Sequence, residues 1–267
     1  MTWLDGLVGK AVVVKFGGNA MLNSDLVADF AEDISIMRKL GIGVVVVHGG
    51  GPQISAALDA AGIEPEFVDG LRVTTQQALP IIREVLMEEI SKPLAALISQ
   101  NGENAIALNG ITEDLFLAEV TRPDLGSVGE VFAVRDGFLR ELLAKGIVPV
   151  ISSIAPDEDG RLVNVNADLA AASVAAALEA QELIFLTDVD GLYENYSDKS
   201  SLRTIITVSE LEELLPSLEK GMIPKVSAAI TASFAGVRSV RIINGSISHS
   251  IQKLNENPNG FGTRVER

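Results

Sequence analysis

The sequence contains no cysteine and only two histidines. The absence of thiols excludes a disulfide framework and a thiolate nucleophile, and two imidazoles are too few for the usual zinc site. Basic residues are also scarce, because 21 Lys and Arg stand against 36 Asp and Glu and give a formal net charge of −15. Nucleic acids and anionic membranes favour basic surfaces, so this balance argues against both as nonspecific partners.

Long apolar runs are missing as well. No segment approaches the ~20 apolar residues that a membrane-spanning helix needs. The N-terminus also lacks the basic and apolar regions of a signal peptide. We therefore expect a cytoplasmic protein without a membrane segment. A chain of 267 residues can bury a large core, as one large domain or as two lobes.

The most informative stretch that is present runs from Ala11 to Met21. Its β-branched residues predict a buried strand that leads through Lys15 to the pair Gly17 and Gly18. Glycines after a strand allow turns that other residues avoid, and they let backbone N–H groups approach an anion. Taken alone, a strand with a solvated lysine and a tight turn is an equally good interpretation.

The same order of strand, glycine turn and helix recurs at Val44–Val47, where His48 precedes Gly49–Gly51. Strands alternate with helices along the chain, which predicts an α/β fold with an open, mainly parallel sheet sandwiched between helices. Such sheets bind ligands at the carboxyl ends of their strands. We predict two lobes, residues 1–173 and 174–267. We expect His48 to be a hydrogen-bonded residue at a strand end and assign it no catalytic role.

Three local predictions concern the ends of elements. The apolar pattern indicates a helix from about Gln76 to Ser99 that Pro93 interrupts. Ser209 is expected to cap the short helix that follows it. Residues 260–265 are expected to return as a last strand at the edge of the sheet.

Two charged residues lie in the first turns of predicted helices. Lys225 follows Pro224, where the positive end of the helix dipole disfavours a cation by ~0.3–1 kcal/mol. An unfavourable position for the Lys225 ammonium group suggests that the residue is kept for a function. A lysine in contact with solvent would, however, lose little free energy there, so a structural interpretation also stands. The dipole favours Asp168 in its turn, so a structural role explains it equally well unless it bridges two lysines.

Other polar residues allow two interpretations each. Arg72, in a predicted hairpin, is either an ordinary exposed arginine or a planar clamp for a substrate carboxylate. One of Asn164 and Asn166 is expected to cap a helix. Asp188 and Asp190 either stabilise a turn or contact a nucleotide.

The common nucleotide signatures, G-x-x-x-x-G-K-[ST] and G-x-G-x-x-G, do not occur in the sequence. Instead, six short motifs in order, covering nearly the whole chain, resemble those of the acetylglutamate kinase family, a branch of the amino-acid kinase fold. The motifs are Lys15-Phe16-Gly17-Gly18-Asn19-Ala20-Met21, His48-Gly49-Gly50-Gly51-Pro52, Gly70-Leu71-Arg72-Val73-Thr74, Asn164-Val165-Asn166-Ala167-Asp168, Thr187-Asp188-Val189-Asp190-Gly191 and Gly221-Met222-Ile223-Pro224-Lys225. The second, third and fourth point to the acetylglutamate branch.

The resemblance implies phosphoryl transfer from ATP to the side-chain carboxylate of N-acetyl-L-glutamate, the second step of arginine biosynthesis through acetylated intermediates. It implies that Lys15 and Lys225 flank the transferred group and that Asp168 holds both ammonium groups. The acceptor oxygen is already anionic, so catalysis needs alignment and charge neutralisation rather than a general base.

The resemblance also implies the binding residues. The residues implied for the acetylamino acid are Gly49, Gly50, Arg72 and Asn164, and those implied for the nucleotide and its phosphates are Gly17, Gly18, Thr187, Asp188 and Asp190. The N–H groups of the four glycines would face phosphoryl oxygens. Mg²⁺ would arrive with ATP, held chiefly by phosphates, so we assign it no protein ligand.

Two other functions remain open at this point. One is a kinase of the same fold with another acceptor, such as glutamate, an aminoadipate-type compound or uridylate. The other is a non-catalytic nucleotide-binding regulator. The Gly-Leu-Arg-Val-Thr motif weighs against the first, and the presence of both Lys15 and Lys225 weighs against the second.

The resemblance also bears on assembly. The resemblance implies that arginine-inhibited members form hexamers, which are rings of dimers joined by a long N-terminal helix. Here ten residues that include Gly6 and Gly9 precede the first strand, and Leu254 stands where an acid is expected five places after His249. We therefore expect a homodimer joined through the substrate lobe, with weak or no inhibition by arginine. Light scattering that shows a hexamer, together with inhibition by arginine, would contradict this; Glu256 as a substitute acid keeps that alternative open.

Overall fold

The structure, a computed structural model, describes residues 2–218 and 221–266; Met1, Glu219, Lys220 and Arg267 lie outside the described residues. The strands are β1 (Ala11–Phe16), β2 (Gly43–His48), β3 (Phe67–Val68), β4 (Leu71–Arg72), β5 (Asn104–Leu108), β6 (Phe116–Glu119), β7 (Val128–Val134), β8 (Ile147–Ser152), β9 (Ile154–Pro156), β10 (Leu162–Val165), β11 (Glu182–Thr187), β12 (Leu192–Tyr193), β13 (Leu202–Arg203), β14 (Ile205–Thr207), β15 (Ser239–Asn244) and β16 (Thr263–Glu266). The α-helices are α1 (Ser24–Lys39), α2 (Gly51–Ala60), α3 (Ala78–Glu84), α4 (Lys92–Gln100), α5 (Asp136–Ala144), α6 (Ala167–Ala177), α7 (Val208–Leu214), α8 (Ile223–Phe234) and α9 (Ser250–Glu256).

The main sheet has eight strands in the order β14-β16-β15-β11-β1-β2-β8-β5. The strands from β15 to β5 are parallel to one another, whereas β16 runs antiparallel to β15 and parallel to β14. This confirms the predicted open, mainly parallel sheet. The prediction of a last edge strand near residues 260–265 was wrong in its position, because β14 pairs with the outer side of β16 and forms the edge itself.

Helices cover both faces of this sheet, as predicted. Val12 and Val14 pack in a cluster with residues of α1, α4 and α9, and Val13 packs on the opposite face with residues of α5, α6 and α8. All three valines are fully buried, because successive side chains of a strand point to opposite faces and both faces here are covered. The proposed division at residues 173 and 174 stays a prediction.

A smaller sheet in the order β6-β7-β10-β9 and the hairpin β3–β4 complete the first part of the chain. Strand β10 leads directly into α6, whose first turn holds Asp168. Hairpin β3–β4 ends in Arg72. The two elements therefore carry candidate site residues toward the main sheet.

The helix predicted from Gln76 to Ser99 is continuous but irregular. A π-helical segment, Val85–Ser91, connects α3 to α4 and ends two residues before Pro93. Pro93 has no N–H to donate, so the preceding turn cannot keep the regular helical pattern. In the described part of the chain, no helix is long and apolar enough to cross a membrane.

The predicted cap at Ser209 was wrong. The N-cap of α7 is Thr207, whose hydroxyl accepts from the N–H of Glu210 while the Glu210 carboxylate accepts from the N–H of Thr207. This is a capping box, which the Thr-x-x-Glu spacing in the sequence already signals.

Helix α9 is hydrogen-bonded to α1 through the buried carboxylate of Asp33. Asp33 accepts hydrogen bonds from the N–H of Ile251 at 3.0 Å and from Nε2 of Gln252 at 2.8 Å. It also lies 3.0 Å from Nδ1 of His249. Hydrogen bonding to Asp33 raises the pKa of His249, and burial raises the pKa of Asp33 against the effect of its hydrogen bonds.

This cluster predicts a pH dependence of stability. A raised pKa means that the folded protein binds the His249 proton more tightly than the unfolded chain, so the stabilisation is full below ~6.5, the unfolded value, and is lost as the pH rises through the folded pKa. We expect the free energy of unfolding of the original protein, measured in urea relative to that of His249→Gln, to fall between about pH 6 and pH 8. The opposite contribution of His48, whose pKa burial lowers to about 4, is common to both proteins and cancels in this difference. Equal pH slopes in the two proteins would contradict the assignment.

Candidate active site

The site lies at the carboxyl ends of the neighbouring strands β1, β2 and β11, in the middle of the sheet. Lys15 of β1 is aligned with Val47 of β2 and with Phe185 of β11. Helices α6 and α8 begin at the same strand ends, and their first turns hold Asp168 and Lys225. Three separate elements therefore place these charged side chains together.

Asp168 bridges the two lysines. Its Oδ1 lies 3.0 Å from Nζ of Lys15 and 3.1 Å from Nζ of Lys225, and its Oδ2 lies 3.3 Å from Nζ of Lys225. All three residues are buried. The arrangement joins two cations to one anion, so it carries a net positive charge inside a protein whose formal net charge is −15.

Burial alone would raise the pKa of Asp168, but the ammonium groups of Lys15 and Lys225 outweigh it and hold the pKa at about 2. Burial lowers the pKa of Lys225, with Asp168 acting in the opposite direction. The carboxylate is therefore ionised at neutral pH. Its charge offsets the cost of holding two ammonium groups close together in a buried place.

Gly17 makes room for the Lys15 ammonium group. A Cβ atom added at Gly17 would lie 2.8 Å from Nζ of Lys15 and 3.3 Å from its Cε. The lysine side chain thus folds back over the glycine that follows it in the turn. Gly18 has a φ of +76°, a conformation that favours glycine.

Two cavities meet at the charged bridge. One, of about 450 Å³, is lined by the end of β11, the segment after it and the start of α8. The other, of about 250 Å³, is lined by Gly49–Gly51, Arg72 and Asn164. Lys15, Asp168 and the first glycine turn line both. A group transferred from one cavity to the other would pass close to the ammonium groups of Lys15 and Lys225.

Arg72, which lines the smaller cavity, uses only one of its two terminal guanidinium nitrogens in hydrogen bonds to described residues. Its Nη2 donates to the carbonyl of Gly51 at 3.0 Å and to Oγ of Ser55 at 2.7 Å, and its guanidinium stacks 4.6 Å from the ring centroid of Phe67. Its Nη1 is buried without a hydrogen-bond partner among the described residues. Burial lowers the pKa of Arg72, so an anion bound there would relieve an unfavourable environment.

The two asparagines of β10 and its end have different roles. Asn166 is the N-cap of α6, since its Oδ1 accepts from the N–H groups of Asp168 at 2.9 Å and Leu169 at 3.2 Å. Asn164 lines the smaller cavity and donates through Nδ2 to Oγ1 of Thr74 at 3.1 Å. The expectation that one of them caps a helix is confirmed.

The structure separates the two predicted aspartates after β11. Asp188 and Thr187 line the larger cavity. Asp190 is absent from its lining, and its carboxylate accepts hydrogen bonds from the hydroxyl of Tyr193 and from Nδ2 of Asn244, both at 2.8 Å. These bonds lower the pKa of Asp190. Asp190 therefore links the segment that follows β11 to Asn244 at the end of β15.

Sequence reasoning missed the aromatic wall of the larger cavity. The chain has two tyrosines, and both Tyr193 and Tyr196 line this cavity. The Nζ of Lys199 lies 3.7 Å from the ring centroid of Tyr196 and 4.5 Å from that of Tyr193. The signal was available, because the only tyrosines in the chain stand three places apart directly after the Asp-x-Asp-Gly stretch.

His48, at the end of β2, is a hydrogen-bonded strand-end residue, as expected. It is fully buried, with Nδ1 2.9 Å from the carbonyl of Gly49 and Nε2 2.5 Å from Oγ of Ser91. Burial lowers the pKa of His48 to about 4, so the ring is neutral near pH 7. In the turn after it, the N–H of Gly49 makes a long hydrogen bond of 3.4 Å to the carbonyl of Phe16. This N–H is therefore directed at Phe16, and of the four glycine N–H groups predicted to face phosphoryl oxygens we retain those of Gly17, Gly18 and Gly50.

The chain matches known proteins over nearly its whole length. The family model described as "Amino acid kinase family" matches residues 10–244. The acetylglutamate kinase of Streptomyces coelicolor is 46% identical over 273 residues, which cover 99% of this chain and 89% of that protein. The acetylglutamate kinase of Bifidobacterium animalis subsp. lactis is 47% identical over 277 residues, which cover 100% of this chain and 90% of that protein.

A solved structure shows the same fold. The N-acetylglutamate synthase of Neisseria gonorrhoeae, complexed with coenzyme A and N-acetyl-glutamate, superposes with a TM-score of 0.87 at 23% sequence identity. The match covers 99% of this chain and 61% of that longer chain, and at this identity it supports the fold alone.

Proposed function

Because the chain belongs to the acetylglutamate kinases of the amino acid kinase family, we propose that it transfers the γ-phosphoryl group of ATP to the side-chain carboxylate of N-acetyl-L-glutamate. The product is N-acetyl-L-glutamyl 5-phosphate, and the reaction belongs to arginine biosynthesis. The observation that supports the site is the Lys15–Asp168–Lys225 bridge where two cavities meet. Each cavity then takes one substrate, and the phosphoryl group crosses between them.

The main barrier in this reaction is electrostatic. An anionic carboxylate has to approach an anionic phosphate, and charge spreads over the phosphoryl oxygens in the transition state. Lys15 and Lys225 neutralise that charge, and the N–H groups of Gly17, Gly18 and Gly50 donate to the oxygens. No residue has to remove a proton, because the acceptor is already ionised. Asp168 is the residue that keeps the two ammonium groups in place.

The smaller cavity suits the acetylamino acid. Arg72 lines it and has one buried guanidinium nitrogen, Nη1, without a hydrogen-bond partner among the described residues, so a carboxylate bound beside the guanidinium would complete its hydrogen bonding. Asn164 offers an amide oriented by Thr74. Gly49 and Gly50 line the same cavity at the start of α2, where the helix dipole favours an anion. These features support acceptor binding in the part of the chain before residue 174.

The larger cavity suits the nucleotide. Thr187 and Asp188 line it beside Tyr193, Tyr196 and Met222, a mixture of polar groups and apolar surface that fits a base and a ribose. Residues 174–267 supply most of this lining. Asp190 supports the site through its bonds to Tyr193 and Asn244 rather than through a direct contact.

We propose that Mg²⁺ accompanies ATP and is held mainly by its phosphates. Among the described residues, no three or more His, Asp or Glu side chains converge in a group that would hold a metal ion. The carboxylate of Asp168 is already engaged by two ammonium groups. Magnesium bound through substrate phosphates requires few protein ligands and supplies further neutralisation of the transferring group.

Arg72→Lys is expected to raise the KM for N-acetylglutamate about tenfold or more and to leave the KM for ATP nearly unchanged. A lysine cannot reproduce the planar fork, so one charge-assisted hydrogen bond to the substrate carboxylate is lost. Steady-state kinetics with each substrate varied in turn measures the effect, with Arg161→Lys at an exposed position as the matched control. A rise in the KM for ATP instead would reverse our assignment of the two cavities.

The proposed function is tested by trapping the acyl phosphate with hydroxylamine. We expect the purified protein with ATP and Mg²⁺ to form the hydroxamate from N-acetylglutamate much faster than from glutamate or an aminoadipate-type acceptor. A higher rate with one of the other acceptors, or no hydroxamate at all, would contradict the proposal.

A further inference from the structure

His48 has a single possible tautomer in this structure. A carbonyl oxygen can only accept, so the contact of 2.9 Å between Nδ1 and Gly49 requires the proton on Nδ1. The neutral ring then has a lone pair on Nε2, which accepts from the hydroxyl of Ser91 at 2.5 Å. His48 and Ser91 are both fully buried, so no water competes for the bond between them.

The hydrogen bond from His48 fixes the orientation of one peptide group. No cis peptide bond occurs in the described residues, so the Gly49 carbonyl and the Gly50 N–H lie on opposite sides of the peptide that joins them. Holding the carbonyl against the buried ring directs the N–H away from that ring, and both Gly49 and Gly50 line the smaller cavity. A diglycine peptide without this contact would rotate easily, because glycine has few steric limits.

The π-helical segment holds the other side of the same turn. A Cβ atom added at Gly50 would lie 2.6 Å from Cδ1 of Ile90 and 3.2 Å from Cδ2 of Leu86, so these side chains pack directly on the bare glycine. Ser91, the last residue of Val85–Ser91, supplies the hydroxyl for His48. The segment therefore contacts the turn both by packing and by a hydrogen bond.

We propose that His48 is a positioning residue for phosphoryl transfer: its Nδ1–H holds the Gly49 carbonyl so that the Gly50 N–H points at the transferring phosphoryl group, and Ser91 fixes the tautomer that makes this possible. The inference rests on the proposed function, since it assigns the Gly50 N–H to the phosphoryl oxygens. His48 touches neither substrate in this scheme and acts only through the peptide. The irregular helix before Pro93 thereby becomes part of the active-site support.

Two substitutions separate the two bonds of the ring. In His48→Asn the side-chain amide falls near the position of Nδ1, so a donor to Gly49 is kept and the bond to Ser91 is lost. In His48→Gln the amide reaches the position of Nε2, so the bond to Ser91 is kept and the donor to Gly49 is lost. Each variant loses one buried hydrogen bond, so we expect similar losses of thermal stability.

The expected kinetic results differ. Removing a transition-state donor costs ~10²-fold or more in rate, and misdirecting one of several N–H groups should cost at least about tenfold. We expect His48→Gln to lower kcat about tenfold or more, with both KM values changed less than about threefold, and His48→Asn to keep kcat within about threefold of the original protein. The matched control is His249→Gln, the same substitution at the other histidine in the chain.

The tautomer is tested without any activity measurement. With ¹⁵N-labelled histidine, the two imidazoles are assigned by comparison with His249→Gln, and the nitrogen shifts report which atom carries the proton. We expect His48 to be neutral with the proton on Nδ1 from about pH 6 to pH 8. A proton on Nε2, or an imidazolium in this range, would overturn the inference even if both kinetic variants failed to fold.

The outcomes distinguish the two proposals. An original protein that forms no acyl phosphate would overturn the proposed function and this inference with it. An active original protein in which His48→Gln and His48→Asn lose kcat equally, or in which His48→Gln retains full kcat, would overturn the inference alone.

Discussion

Lys225→Ala and Lys15→Ala are each expected to lower kcat by ~10² or more while the protein stays folded. Both ammonium groups contact Asp168 and line the cavity in which we place the phosphates. Each would neutralise charge that develops at the phosphoryl oxygens only as the bond to ADP breaks. An interaction of this kind lowers kcat when it is lost and has little effect on substrate binding.

Folding should survive these substitutions because Asp168 keeps one cation in either variant. Breaking a buried ion pair completely costs several kcal/mol, but here the carboxylate retains a partner. Single-turnover kinetics measures the rate of transfer, and thermal unfolding measures stability. Lys145→Ala is the matched control, because this lysine is exposed near the end of α5. Near-normal turnover in either active-site variant would remove that lysine from the mechanism.

Asp168→Asn is expected to be the most damaging isosteric change in the chain. Two ammonium groups bonded to one carboxylate oxygen cannot lie further apart than the sum of their distances to it, 3.0 Å and 3.1 Å. Without the carboxylate their repulsion is uncompensated in a buried place. We expect a loss of about 3–5 kcal/mol in the free energy of unfolding, and a fall in kcat of ~10² or more as one lysine gives up its proton or moves.

The pH dependence of stability gives this prediction a second readout. The folded pKa of Asp168, about 2, lies below the ordinary value of 3.8, so its contribution is present above about pH 4 and is lost as the pH falls toward 2. The original protein should lose this part of its stability in acid, whereas Asp168→Asn has no such part to lose. Urea unfolding between about pH 3 and pH 7 measures both proteins, with Asp159→Asn at an exposed position as control. Unchanged stability at neutral pH would contradict the ion bridge.

The fold was predictable from the sequence where one local signal decided the structure. Runs such as Val44–Val47 are too apolar for a half-exposed strand, and the glycines after them leave few alternatives to a turn. The position of β16 was not predictable, because the edge is taken by β14, a strand of three residues whose pairing depends on distant chain. Periodicity does not specify strand order.

The candidate site also contains residues that local motifs predicted and contacts that only the folded chain reveals. Lys15, Asp168 and Lys225 were identified from motifs, and the structure brings them together although 57 positions separate the last two. The contact between His48 and Ser91 spans 43 positions, and no local pattern links a strand-end histidine to a serine in a helix. The motif in which Asp190 lies suggested a direct contact with the nucleotide. Its partner Tyr193 stands only three positions away, but its partner Asn244 is 54 positions away and became evident only when β11 and β15 were placed side by side.

The pairing of β1 with β11 restricts how the two substrates come together. These strands belong to the two predicted lobes, yet they are joined residue by residue, from Val12 opposite Glu182 to Lys15 opposite Phe185. A hinge between the lobes at this seam would have to break main-chain hydrogen bonds in the most buried part of the protein. We therefore expect segments outside this seam, rather than a hinge between the lobes, to make any movement that brings acceptor and donor into contact.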